Sequence, residues 1–301
     1  MGKINKKGLL KFVIKVIITT LALYVVIRKI DLIETKRILF STQVFWLFIA
    51  LLLFNISKVI SSIRLNGLFR TIDLRLDFYY NLKLYYVGMF YNLFLPGGIG
   101  GDGYKVYVLN KHFKVSVKQL ISATLVDRIS GMVALVFLVM VLTLFIEITF
   151  AGENIIYFIS GLLILAYPAY YLFFKLLFPK FIPFFHPSNF LSFGVQVSQL
   201  ICALFILWSL DIHDLYIEYQ VLFLISSVVA VLPFTIGGIG ARELVFIFGA
   251  NYLMIDRNTA VAFSLLFFLL TAVSSFTGVF LETTVKNENN KNNNGKAVVK
   301  N

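Results

Sequence analysis

Cysteine is almost missing from this chain, histidine is scarce, and acidic side chains number only 15 in 301 residues. Cys202 stands alone in an apolar segment, which excludes an internal disulfide and a cysteine metal cluster. His112, His186 and His213 are scattered, so no metal site is expected. No Gly-Lys-Ser/Thr ending follows the glycine-rich stretches, so there is no nucleotide-binding loop of that kind. The apolar run 12–27 lacks a small-residue cleavage site and leads into Arg28-Lys29-Ile30-Asp31, which fits an uncleaved first span rather than a signal peptide. Charge is also short, at 14% of residues. A soluble domain of this length needs far more polar surface, so the composition points to an integral membrane protein.

What is present in excess is apolar sequence, 59% of residues with a mean hydropathy of +0.87. Seven stretches run 18 residues or more without a charge: 38–57, 84–101, 129–146, 154–174, 187–210, 219–241 and 258–281. About 20 apolar residues cross a bilayer as a helix. Helices are expected near 12–27, 44–63, 121–150, 154–177, 187–210 and 259–281. The net charge of +12 is explained by lysines flanking these spans and facing anionic headgroups, without nucleic acid as a partner. The tail 286–301 is rich in Asn and Lys and is expected to be disordered, leaving 1–285 as one membrane domain.

Two glycine-rich interruptions stand about half a chain apart. Residues 95–102 read Leu-Pro-Gly-Gly-Ile-Gly-Gly-Asp, and 232–243 read Leu-Pro-Phe-Thr-Ile-Gly-Gly-Ile-Gly-Ala-Arg-Glu. Proline and clustered glycine break helices, and broken backbone survives in a bilayer only where protein or water covers it. Matching breaks in two halves are the sequence mark of a transporter binding site. The expected fold is therefore all-α: a polytopic bundle of two halves, about 12–150 and 154–281, each holding a broken segment (79–103 and 219–255). If each broken segment enters and returns, three crossings per half make the second half inverted. Eight full spans are the competing arrangement.

The candidate binding residues lie on and around the breaks. Pro96 breaks the helix, and Gly97, Gly98, Gly100, Gly101 and Asp102 after it offer exposed backbone N–H groups suited to an anion, with Lys105 downstream. Close helix packing through small residues is the plainer use of the same glycines. Gly237, Gly238 and Gly240 lead into Arg242 and Glu243, charges that follow a long apolar run. These two either serve a site or pair with each other at the membrane boundary. Asp127 and Arg128 open another run, as an interfacial pair or a headgroup anchor. Arg64, Arg70 and Arg75 are expected to snorkel. Segment 104–120 reads as a basic loop or a stretch lying on an anionic leaflet.

At these residues the chain resembles the flippase-like integral membrane family related to the transmembrane region of lysylphosphatidylglycerol synthases. The marks are Asn92 to Asp102, Asp127-Arg128-Ile129-Ser130-Gly131, and Gly237 to Glu243, in that order. Asp127 stands where glutamate is commoner. The resemblance implies movement of a lipid, a lipid-linked sugar or a polyprenyl phosphate between leaflets of a prokaryotic plasma (inner) membrane, with both termini cytoplasmic. In bifunctional relatives a soluble domain makes the aminoacyl lipid; no loop here has room for one, so an enzyme is not expected and no cofactor is implied. Two other readings stay open. One is a membrane-embedded headgroup or glycosyl transferase, for which Asp102 and Glu243 are the only nucleophile candidates. The other is a scaffold for a separate lipid-modifying enzyme.

Overall fold

Long apolar runs bounded by polar ends give helices, and helices account for nearly all the regular structure. The computed structural model describes residues 17, 20–21, 23–94, 100–146, 149–150, 153–154, 156–231, 238 and 240–281. In chain order these hold α1 (23–29), α2 (Leu32–Phe40), α3 (Val44–Arg70), α4 (Phe78–Phe94), α5 (Gly100–Phe113) and α6 (Val117–Thr143). After a hairpin pairing Thr149–Phe150 with Glu153–Asn154 come α7 (Ile156–Leu177), a 3-10 turn (Pro179–Phe184) and α8 (Phe185–Ser209). The chain continues through α9 (Tyr216–Val231), α10 (Ala241–Tyr252), α11 (Arg257–Phe276) and a closing 3-10 turn (Thr277–Phe280).

Five helical stretches among the described residues are long and apolar enough to cross a membrane: Val44–Arg70, Val117–Thr143, Tyr157–Leu177, Pro179–Ser209 and Arg257–Phe280. They match five of the six expected spans, and the protein is an integral membrane protein. Half of the sixth, 12–27, lies outside the described residues, and the half that is described is helical. Two boundaries differ from expectation. The helix read as 44–63 runs on to Arg70, and the one read as 121–150 covers Val117–Thr143. In α3, Arg64 looks like a span end but is inside the helix, because it faces protein.

Both broken segments consist of two short helices. α4 ends at Phe94 and α5 starts at Gly100; α9 ends at Val231 and α10 starts at Ala241. At about 1.5 Å per residue, α10 is roughly 18 Å long and cannot cross a core of about 30 Å. α4 packs on α5, and α9 on α10. The α4–α5 contact is set by two glycines: a Cβ on Gly101 would collide with the backbone of Gly88. Segment 104–113 is not a surface loop. It is the body of α5, with Lys105, Val106, Val108 and Leu109 buried.

The apolar core has two halves. One gathers Ala50 and Phe54 of α3, Leu135 and Leu138 of α6, and Cys202 to Leu207 of α8 with residues of α9 to α11. The other gathers Leu65 to Phe69 of α3, Leu120 to Val126 of α6, and Phe185 of α8 with residues of α4, α5 and α7. So α3, α6 and α8 thread both cores, with α3 running opposite to the other two. Between the cores each of the three helices carries a polar stretch at the same height.

Candidate functional site

That polar layer surrounds a cavity of about 250 Å³ lined by residues of α3, α4, α5, α6, α8, α9 and α10. α3 supplies Lys58, Ser61 and Arg64, which recur every three residues and share one helix face. α6 supplies Asp127, Arg128 and Gly131, and α8 supplies Gln196 and Gln199. The broken segments meet here too: Asn92 of α4, Asp102 and Lys105 of α5, Ser227 of α9 and Arg242 of α10 all line the wall. Lys58 lies near the middle of a 27-residue helix. That depth is costly for charge in lipid and marks a protein-enclosed or watered interior.

Two ion-pair clusters hold the wall. Arg64, 5% exposed, donates from Nε to Asp127 Oδ1 at 2.7 Å and from a terminal nitrogen to Ser192 Oγ at 2.7 Å, tying α3, α6 and α8 together. Asp102 accepts from Arg128 Nε and, at 3.3 Å, from Lys105 Nζ, tying α5 to α6. Lys105 is 4% exposed, and its ammonium lies 4.5 Å from the ring centre of Tyr85. Asn92 Oδ1 accepts from the Gly101 amide at 2.8 Å, which satisfies a free donor at the start of α5.

Asp127 and Arg128 therefore do not pair with each other. The chain neighbours point to different partners on different helices. Arg64 does not snorkel either; burial beside Asp127 and Ser192 replaces contact with headgroups. Arg242 and Glu243 are likewise separate. Glu243, 3% exposed, accepts from the Gly240 amide at 2.7 Å and from Ser264 Oγ at 2.9 Å, capping its own helix. Arg242 faces the cavity with its guanidinium 5.0 Å from the ring centre of Phe267. Gly238 and Gly240 have φ of +82° and +80°, angles that favour glycine, and turn the chain into α10. Gly100 opens α5. Pro96, Gly97, Gly98 and Gly237 lie outside the described residues.

Five cations (Lys58, Arg64, Lys105, Arg128, Arg242) and two carboxylates (Asp102, Asp127) line the cavity among the described residues, a formal excess of three positive charges. Lys58 and Arg242 have no carboxylate within ion-pair distance among those residues; each lies instead over an aromatic ring, Lys58 at 4.3 Å from Phe54. Ser227 Oγ on the wall is buried with no hydrogen-bond partner among the described residues and can donate. Such a wall suits an anion with several acceptor oxygens. No three His, Cys, Asp or Glu side chains gather as a metal site among the described residues.

Lys58, Arg64, Gln196 and Gln199 escape a reading based on uncharged runs. Lys58 looks like the end of a span, and the α8 residues carry no charge. The available signal was periodic: Ser188, Ser192, Gln196 and Gln199 fall at helical spacing along one face of α8.

Comparison with known families closes the description. Residues 12–278 match the family described as Lysylphosphatidylglycerol synthase TM region. No curated protein and no solved structure matches the chain. Since the match spans most of the chain, the protein belongs to that family.

Proposed function

We propose that this family member carries an anionic phospholipid or a lipid-linked phosphate between the two leaflets of a membrane. The observation that carries the reading is the cationic cavity, set at mid-helix depth between two apolar cores. Lys58 and Arg242 take the headgroup phosphate, with Ser227 donating to it. The pairs Arg64–Asp127 and Arg128–Asp102–Lys105 hold the wall in shape. Asp102 and Glu243 are each already engaged by protein partners, which favours a carrier over a transferase that needs an available nucleophile.

The order of elements supports two halves of opposite orientation. A first span, α3, the α4–α5 pair and α6 would form one, and α7, α8, the α9–α10 pair and α11 the other. In this reading both helix pairs are re-entrant, with Asn92, Asp102, Lys105, Ser227 and Arg242 facing the cavity, so rocking of one half on the other exposes the headgroup to alternate sides. The reading places the protein in a prokaryotic plasma membrane, as a carrier for lipid made by a separate enzyme.

Leaflet exchange tests it. Proteoliposomes bearing fluorescent phosphatidylglycerol should lose inner- and outer-leaflet asymmetry faster than protein-free vesicles, and Arg242→Ala should bring the rate down to theirs. Equal rates with and without the wild-type protein would dismiss transport.

A further inference from the structure

A second cavity, about 480 Å³, lies between α6, α7 and α8, within the roughly 300–1,000 Å³ range of small-molecule sites. Its wall is almost wholly apolar: Met132, Phe137 and Met140 of α6, Tyr167 of α7, and Phe193 of α8. Met132 also lines the cationic cavity, so the two spaces adjoin at α6. The hydroxyls of Tyr167 and Tyr170 on this wall are paired with His186 and Ser130, but one amide is not. That amide belongs to Asn189 of α8, and its side-chain nitrogen is buried with no hydrogen-bond partner among the described residues. A donor left unpaired in an apolar space is costly, so it points to an acceptor that arrives with a ligand.

We infer that this cavity seats an acyl chain of the lipid whose phosphate occupies the cationic cavity, and that Asn189 donates a hydrogen bond to the chain's ester carbonyl. The inference rests on the headgroup reading above and narrows it. An acyl ester offers a carbonyl oxygen at the root of its chain; an ether lipid or a polyprenyl phosphate offers none there. Asn189 thus becomes a specificity-determining residue, selecting ester-linked lipids, while Lys58 and Arg242 select for negative charge. One amphiphile satisfies both spaces, because a polar head and an apolar chain are what adjoining cationic and apolar cavities complement.

The probes are diacyl phosphatidylglycerol and its dialkyl ether analogue, with equal chain lengths and the same headgroup, bound to purified protein and read by native mass spectrometry. The wild-type protein should bind the diacyl form about five-fold more tightly, the size of one neutral hydrogen bond. Asn189→Leu should remove that preference by weakening the diacyl form alone, and Ala134→Phe, which fills the cavity, should weaken both. Equal binding of the two lipids by wild type, or a preference that survives Asn189→Leu, overturns the inference. If both lipids bind equally and both weaken in Arg242→Ala, the headgroup reading stands without it. If neither binds above a zwitterionic control, both fall.

Discussion

The side chains of the polar layer divide into those with fixed partners and those facing the cavity. Arg64 and Asp127 belong to the first group. A charge left buried without its partner costs about 3–5 kcal/mol, while replacing both members by apolar residues is often neutral. Asp127→Ala should therefore sharply lower the unfolding temperature of detergent-solubilised protein, and Arg64→Met combined with Asp127→Leu should recover most of the loss. A double variant no better than the single would mean the pair has no shared role. Of the charged groups here, sequence reading identified Asp102, Lys105, Asp127, Arg128 and Arg242 as candidates, because each adjoined a glycine break or a long apolar run. One of its two alternatives paired neighbours along the chain, whereas a helix sends side chains i and i+1 roughly 100° apart. Asp127 thus reaches Arg64 on α3, and Arg128 reaches Asp102 on α5.

At the scale of elements, the breaks were legible and the lengths were not. Proline and glycine mark where α4 gives way to α5 and α9 to α10, since those residues defeat helical backbone whatever surrounds them. Arg64 misleads because charge usually ends a span, yet α3 continues for six residues past it by burying the charge in protein. Glycine also carries two different meanings within one helix. Gly101 sits against the backbone of Gly88, but a Cβ on Gly103 would meet nothing within 4 Å. Gly101→Ala should force α4 from α5 and cost about 1–3 kcal/mol, the usual penalty of overpacking. Gly103→Ala should be neutral or gain up to about 1 kcal/mol from helix propensity. Thermal unfolding of the two variants side by side checks the contrast, and equal effects would remove the close crossing from the explanation.

For the whole molecule, the helical bundle and its membrane character followed from composition and apolar runs, and the family from the resemblance carried by Asn92–Asp102, Asp127–Gly131 and Gly237–Glu243. The cavity did not, because it is assembled from seven helices whose polar residues come together only in three dimensions. Two apolar cores with a charged layer between them are a costly way to build a membrane bundle, and the excess of positive charge makes sense once an anion occupies it. The most direct measurement is lipid identification by mass spectrometry on gently extracted protein, set against the lipid composition of the membrane it came from. Wild-type protein should carry anionic lipid well above the bulk proportion, and the Lys58→Ala/Arg242→Ala protein should carry bulk proportions while remaining folded. A wild-type lipid profile indistinguishable from bulk, or an enrichment unchanged in the double variant, would contradict a headgroup site in this cavity.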